Sequence, residues 1–448
     1  MTQVSNQWSS QLAFIWVTSG AAVGLGNIWL FSYMAGANGG SAFVLVFLLC
    51  VALIGIPAMI SEVLAGTLAK QNPISGLNAL ASQYRGHGLW PLLGWMGALA
   101  LLMILAFYSV VAGWALGYLS YAITGTFNHT DKGSILSLWD HFIASPSLLL
   151  LWHSLFMFLT LGIVAKGIQE GIERASKIMM PGLFIILIYL VAYAAFHGNF
   201  SDGFHFLFSF DIEKITPKVI LVAMGQAFFS LAVGAGCMFV YGAYLPPNSN
   251  FVGALCWTAV LNTLVALLAG LAIFPLVFAQ GLAPTSGPGL MFQALPIAFS
   301  QMPGGQWIAI SFFTLLIFAA LTSTFSLAEP LVMILIEKLN LSRKIASLVV
   351  GLVAWALGIT ALLSFNIWKE LTLFNRYTFF DILTGIPVNI MIPLGGLGFA
   401  CLAVWMLPQT VSKERIHLSP RCYQIWYIIT RYVTPIGITT VFIYGLIS

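Results

Sequence analysis

Apolar residues run along this chain in long stretches separated by short polar segments. Eleven stretches lie at about 12–35, 41–68, 90–123, 148–165, 178–197, 217–243, 251–280, 306–336, 345–366, 380–408 and 422–447. Each is close to or beyond the ~20 residues that cross a bilayer core as a helix. The pattern predicts an all-α polytopic membrane protein with about eleven transmembrane helices. No separate soluble domain fits between them, so residues 1–448 read as one transmembrane domain.

Two of the stretches are interrupted. The first contains Ser19-Gly20-Ala21-Ala22-Val23-Gly24-Leu25-Gly26-Asn27, and its Ala-Val-Gly-Leu-Gly core returns as Ala232-Val233-Gly234-Ala235-Gly236 in the sixth. Each such glycine costs a helix interior roughly 1 kcal/mol relative to alanine. In hydrocarbon the opened backbone must also line a protected cavity or hold a ligand. Two Gly-interrupted spans in corresponding halves of a chain point to the midplane site of an inverted-repeat secondary transporter. The first and sixth helices are therefore expected to be broken.

Composition agrees with this class. The chain is 60% hydrophobic and only 7% charged, with 34 Phe and 14 Trp, which excludes a soluble protein of this length. The net charge of +4 resides in short loops and implies no nucleic-acid partner. Counted from a cytoplasmic N-terminus, Lys/Arg 70, 85, 166, 174, 177, 338, 343, 344, 413, 415 and 421 share one side. Residues 132, 214, 218, 369 and 376 share the other, and Arg431 lies within the last stretch. The positive-inside rule thus places the N-terminus in the cytoplasm of a multi-pass protein of the cell's inner (plasma) membrane. The first stretch has no basic n-region, so no cleavable signal is expected. Cysteines 50, 237, 256, 401 and 422 lie in or at spans and read as apolar packers.

Polar residues inside the spans are the candidate chemistry. Glu62 reads either as an ion or proton ligand or as an acceptor for loose backbone N–H groups at the helix breaks. Tyr108 carries a mid-span hydroxyl that needs a partner, either a substrate carboxylate or a neighbouring carbonyl. Thr322 and Ser323 either serve a ligand or bond back to their own helix. Residues 166–181 are expected as a charged loop feeding the fifth span, with Gly171 and Pro181 permitting unwinding. Residues 287–305 are expected as a long outer loop, and Pro393-Leu394-Gly395-Gly396 as an interruption of the tenth span. No paired carboxylates, Cys/His metal spacing or nucleophile–base set appears, so the chain is not read as an enzyme.

Taken together, the order and spacing of these residues resemble the neurotransmitter:sodium symporter family, in its prokaryotic amino-acid branch. The similar motifs are G-x-A-V-G-L-G-N followed by W-x-F (20–31), N-G-G (38–40), K-G-I-x-x-G-I-E-R (166–174) and Q-x-F-F-S-L (226–231). Y-G-A-Y (241–244), G-P-G-L (287–290), L-T-S (321–323) and P-L-G-G (393–396) complete the set. The resemblance implies a leucine-transporter-like fold: repeat one at about 10–200, an inverted repeat two at about 215–408, and an extra helix at about 420–448. It implies two sodium ions and no organic cofactor. One sodium site would use the Ala22 carbonyl with Asn27, Ser230, Asn262 and the substrate carboxylate. The other would use carbonyls of Gly20, Val23 and Ala319 with the hydroxyls of Thr322 and Ser323. The carboxylate would also meet N–H groups of Leu25 and Gly26 and the hydroxyl of Tyr108. The implied substrate pocket is Ala21, Ala22, Ile104, Tyr108, Phe229, Ser230, Ala232, Ala235, Ser323 and Leu327.

The sequence departs from the family pattern at its gates. Leu30 replaces an outer-gate arginine that would pair with Asp381, and Ser5 stands where an inner-gate arginine is expected. Phe47 and Ala266 replace expected anion ligands, which implies no chloride requirement. The implied function is a sodium-coupled symporter importing a neutral, bulky apolar or aromatic L-amino acid by alternating access. The alternative is a transport-defective relative acting as an amino-acid sensor or partner subunit.

Overall fold

The computed structural model describes residues 7–128, 130–247, 249–281, 289–373 and 376–447. Ser5, Gly287 and Pro288, named above, lie outside the described residues. The described chain is helical, and its longest helices coincide with the apolar stretches. We number them α1 (Gln11–Ala22), α2 (Gly26–Ala37), α3 (Ser41–Ala69), α4 (Pro73–Gln83), α5 (Trp90–Ile123), α6 (Lys132–Ala144), α7 (Pro146–Val164), α8 (Ile168–His197) and α9 (Phe200–Phe208). There follow α10 (Pro217–Ser230), α11 (Cys237–Ala243), α12 (Phe251–Ala279), α13 (290–301), α14 (Gly305–Leu339), α15 (Arg343–Leu363), α16 (Phe379–Met406), α17 (Gln409–Ile416) and α18 (420–447). Eight are long and apolar enough to cross a membrane, and the α1–α2 pair, bent by 58°, makes a ninth span. The expected sixth span is α10 plus α11, each too short alone, and the eleventh is α18.

Both expected breaks are present, and each has its backbone satisfied by side chains. At the first, Val23 is extended and the chain resumes as helix at Gly26. Gly24 N–H donates to Asn27 Oδ1 (3.2 Å) and Leu25 N–H to the Tyr108 hydroxyl (2.8 Å). At the second, Ala232, Gly234 and Gly236 all have positive φ, 51°, 103° and 96°. A side chain on Gly234 would also lie 2.3 Å from the Ile392 carbonyl oxygen, so glycine is required there for space as well as for conformation. Ala232 carries the left-handed conformation with a Cβ, a strain of about 1–2 kcal/mol.

Glu62 on α3 secures the second break. Its Oε2 accepts Gly234 N–H at 2.6 Å, and its Oε1 accepts Gly236 N–H at 2.9 Å and Phe239 N–H at 3.3 Å. The side chain is fully buried, so these N–H groups have no water to turn to. Of its two readings, the structure shows the backbone acceptor at the N-terminal end of a half-helix, where a carboxylate also meets the helix dipole favourably. Glycines bring α11 against α3 closely enough for this reach: a Cβ on Gly66 would lie 1.8 Å from Phe239 O, and one on Gly242 2.5 Å from Val63 O.

Three expectations are corrected. Residues 168–181 are not a loop but the start of α8, because Gly167, at φ 103°, makes the turn and Ile168 and Ile172 then bury one face at helical spacing. Residues 290–301 of the expected outer loop are helix α13, whose Leu290, Met291, Phe292, Leu295 and Phe299 are buried in the core. Pro393–Gly396 does not interrupt the tenth span. A π-helical turn over Pro387–Met391 lies directly before Ile392 in the continuous helix, and this wider turn takes up Pro393, which has no N–H to give. Gly395 and Gly396 instead permit contact, since a Cβ on each would lie 1.7 Å from Gly234 O and 1.9 Å from the Phe228 ring.

Glu62→Leu is expected to destabilise the protein by roughly 3 kcal/mol or more, because three buried donors lose a charged acceptor. Glu62→Gln, which keeps one acceptor oxygen, should cost less. Thermal unfolding in nanodiscs checks the order; an unchanged midpoint in Glu62→Leu contradicts it.

Candidate functional site

The two breaks face one another in the middle of the molecule, walled by α5, α14 and α16. Between them lies a cavity of about 60 Å³. Eleven of the twelve residues expected around a substrate line it: Ala21, Ala22, Gly26, Ile104, Tyr108, Phe229, Ser230, Ala232, Ala235, Ser323 and Leu327. The twelfth, Leu25, does not; its N–H is held by Tyr108. Sequence reasoning missed Leu101, Cys237, Ser326 and Ile392, which line the cavity together with Gly24. Leu101 carried a signal, lying three and seven residues before Ile104 and Tyr108 on one face of α5. Ser326 follows Ser323 by the same spacing on α14. Ile392 had no polar or glycine signal. No lining residue carries a formal charge.

Gly24 sits where the cavity is most polar. A Cβ there would lie 2.6 Å from both the Tyr108 hydroxyl and Ser323 Oγ, so any side chain would displace one of them. Ser326 is tied down by Tyr241, hydroxyl to hydroxyl at 2.6 Å, and its carbonyl accepts the Cys237 thiol at 3.0 Å. These contacts fix the floor of the cavity between α11 and α14.

Two oxygen clusters flank the cavity. In the first, Asn27 Nδ2 donates to Asn262 Oδ1 at 2.7 Å, and Asn262 Nδ2 to Ser230 Oγ at 3.2 Å. Asn262 Oδ1 also stands 3.0 Å from the Ser230 carbonyl oxygen and 3.1 Å from that of Ala22. Turning the Asn262 amide round lets its nitrogen donate to both carbonyls. In the second cluster, Ser323 Oγ donates to the Gly20 carbonyl (3.3 Å) and the Val23 carbonyl (3.2 Å). Thr322 Oγ1 bonds back to Phe318 O (3.0 Å) and Ala319 O (3.1 Å), and Gly20 packs against the Thr322 side chain. All nine residues expected around sodium are thereby gathered into two groups, with Ala22, Asn27, Ser230 and Ser323 facing the cavity as well. Neutral oxygens in this number suit a hard monovalent cation.

A sequence profile described as the sodium:neurotransmitter symporter family matches residues 5–137 and 144–448. The chain belongs to that family. It is 36% identical to an uncharacterised sodium-dependent transporter, YhdH, of Bacillus subtilis (strain 168), over 98% of this chain and 97% of that one. It is 25% identical to the sodium- and chloride-dependent GABA transporter 2 of Rattus norvegicus, over 80% of this chain and 67% of the relative. The crystal structure of MhsT in complex with L-phenylalanine superimposes with a TM-score of 0.90 at 40% identity, covering 98% of this chain and 99% of that one. The family is one of sodium-dependent membrane transporters and not of enzymes.

Neither position where the family resemblance expects a gate arginine carries one, Leu30 and Ser5 standing there. Asp381 turns onto its own helix start, accepting Thr378 N–H at 2.9 Å and the Thr378 hydroxyl at 2.7 Å. At the N-terminal segment, Trp8 donates Nε1–H to Tyr241 O at 2.9 Å and packs edge-on against Tyr241 and Tyr244. Ser9 N–H donates to Glu173 at 3.0 Å, and Lys177 binds the same carboxylate at 2.6 Å. Beside them, the fully buried Glu329 accepts the Tyr244 hydroxyl at 2.7 Å and both Arg343 Nη atoms, while Arg343 Nε donates to Val164 O at 2.9 Å. This pair joins α7, α11, α14 and α15. Lys70 adds its ammonium to the carbonyls of Ala243 and Leu245 at the end of α11. Burial, and then the nearby Arg415, push its pKa down to about 8.

Phe47 and Ala266, at the expected anion position, are fully buried, and Phe47 packs its ring against Phe31 at 5.1 Å.

Arg343→Gln is expected to loosen the inner face. Alkylation of the buried, cavity-lining Cys237 should accelerate by about ten-fold, the size of a ~1.4 kcal/mol shift between states. Glu329→Gln should do the same, and the double variant little more, since both remove one interaction. Residue-resolved mass spectrometry reads the rate; additive effects contradict the single network.

Proposed function

We propose that this protein is a symporter that imports a bulky, neutral L-amino acid together with two sodium ions by alternating access. The observation that carries the reading is an uncharged cavity flanked by two neutral oxygen clusters at the junction of two broken helices. A charged side chain would be buried there unpaired, at several kcal/mol. Gly24 leaves no acidic partner for a ligand that carries only an amine. An amino acid brings its own carboxylate, which the N-terminal end of α2 and the Tyr108 hydroxyl are placed to receive. In that arrangement the Leu25 N–H would turn from Tyr108 to the carboxylate.

The carboxylate would complete the first sodium site beside Asn27, Ser230, Asn262 and the Ala22 carbonyl, so ion and substrate stabilise one another. The second ion would lie among Gly20, Val23, Ala319, Thr322 and Ser323, joining α1 to α14. Coupling follows if the occluded state is favoured only when all are bound. The reading includes the two repeats, at about 10–200 and 215–408, with 420–448 outside them. It also includes residence in the cell's inner membrane with the N-terminus cytoplasmic.

Specificity for bulk rests on the small Ala232 and Ala235 and on two yielding walls. At about 60 Å³ the cavity is tight. Phe229 and Ile392 separate it from a larger neighbouring space of about 190 Å³ and are the side chains able to give way. MhsT, with L-phenylalanine bound, supports an aromatic side chain here. Each methylene buried would contribute about 0.8 kcal/mol.

Thermal-shift and competition binding against the twenty amino acids, in sodium and in potassium, test the reading. Leu, Met, Phe, Tyr or Trp should bind in sodium only, ahead of Gly and Ala. Thr322→Val and Asn27→Leu should each weaken binding by about ten-fold or more, a loss of ~1.4 kcal/mol or more. Ala235→Phe should shift preference to smaller side chains, and replacing chloride with gluconate should change nothing. Equal affinity in sodium and potassium, or a lead for glycine, lysine or glutamate, overturns it.

A further inference from the structure

A groove of about 300 Å³ opens on the outside of the bundle between α5, α14 and α15. It lies on the faces of α5 and α14 turned away from the central cavity. On α5, Leu101, Ile104 and Tyr108 look inward, whereas Trp95, Leu99 and Leu102 line the groove. On α14, Ser323, Ser326 and Leu327 belong to the cavity, and Leu331 and Leu335 to the groove. The groove-lining side chains recur at i, i+4 and i+7, the spacing of one helix face. Every lining residue is apolar, and Trp95 and Leu99 remain 53% and 48% exposed.

The stripe on α14 ends on a charge. Seven residues after Leu331 and one turn past Leu335 stands the exposed Lys338, in the last turn of the helix. Its Nζ lies 5.0 Å from the centroid of the Trp95 ring, which places the ammonium at the head of the groove. Among the described residues Lys338 makes no salt bridge. The neighbouring Glu337 is engaged elsewhere, its Oε2 accepting Asn72 N–H at 2.9 Å and Asn72 Nδ2 at 2.7 Å. A ring beneath an ammonium holds it in place and leaves N–H groups for an anion. Lys338, Arg343 and Lys344 mark this end of the bundle as the basic one, which the positive-inside rule assigns to the cytoplasm.

We propose that this groove binds an acidic phospholipid of the cytoplasmic leaflet, one acyl chain lying along α5 and α14 and the phosphate resting on Lys338. The walls ask for hydrocarbon and the head of the groove asks for one negative charge. Trp95 joins the two parts at the depth where indole rings sit in bilayers. Size selects a chain over a second helix. Trp95 to Leu102 spans roughly 10 Å of α5, so the groove has a cross-section of about 30 Å², while a helix with its side chains is 10–12 Å across. A zwitterionic lipid offers the same chains but carries its own cation beside the phosphate, which weakens the contact with Lys338. The site is separate from the central cavity and does not require the transport reading to hold.

The test is native mass spectrometry of the delipidated full chain in detergent, titrated with dioleoyl-phosphatidylglycerol and, separately, dioleoyl-phosphatidylcholine. One saturable phosphatidylglycerol adduct is expected, at lower lipid concentration than phosphatidylcholine. Lys338→Gln should weaken phosphatidylglycerol about five-fold, the size of one lysine contact with an anionic lipid, and leave phosphatidylcholine unchanged. Lys344→Gln removes an equal charge from a residue one loop away and should change neither. Ala98→Phe and, independently, Val353→Phe fill the groove from α5 and α15 and should weaken both lipids while thermal unfolding shows the protein intact. Equal binding of the two lipids, equal losses in Lys338→Gln and Lys344→Gln, or adducts that survive both filling variants overturn the proposal. A dimer that the filling variants abolish also overturns it, since a second copy would then be the occupant.

Discussion

A helix broken inside a membrane must find partners for the groups it frees, and the whole centre of this molecule follows from that requirement. Glu62 is the largest single answer. Its two carboxylate oxygens take three N–H groups of the sixth span, so the break is held open by a side chain on a neighbouring helix. The first break is answered differently, by Asn27, Tyr108 and Ser323, which use neutral groups. The contrast matters for function. The carboxylate is used up on structure, away from the cavity, and what faces the cavity are carbonyls, amides and hydroxyls that a weakly held ion can join and leave.

The closures show how the same architecture is kept with a different set of charges. The carboxylate of Asp381 caps its own helix. A buried ion pair is kept, but both partners come from the bundle, Glu329 and Arg343, while the N-terminal segment contributes Trp8 and Ser9. An ion pair of this kind is weak evidence for stability; what its geometry shows is that it joins four helices at the Trp8 end of the bundle. Glu173 couples the N-terminal segment to the first turn of α8, so unwinding of that turn would release Ser9 as well.

Much of this was legible in the sequence, and for identifiable reasons. Span lengths are set by the bilayer, so the apolar stretches mapped directly onto helices. The breaks were legible because Gly20, Gly24 and Gly26, and then Gly234 and Gly236, are expensive in a membrane helix without a use. The pocket was largely legible through Tyr108, Ser230 and Ser323, polar residues with little other reason to be at mid-span. Leu101 and Ile392 were not, since an apolar wall residue looks like any other part of a span. The errors were all at punctuation. Pro and Gly near 166–181, 287–305 and 393–396 resemble loops, yet Gly167 starts a helix, Pro393 follows a π-helical turn inside a continuous one, and Gly395 and Gly396 make room for Gly234 and Phe228. Glu62 left two readings open because sequence does not tell which helix a carboxylate faces.

The central claim is that sodium and an amino acid are moved together, and flux decides it more directly than binding. In proteoliposomes with radiolabelled substrate, an inward sodium gradient should drive accumulation of a bulky neutral amino acid above its external concentration. Replacing external sodium with potassium, or collapsing the gradient, should abolish the accumulation. Sodium-dependent binding with no uptake under any gradient would contradict the account and mark the protein as a sensor or partner subunit built on a transporter's fold.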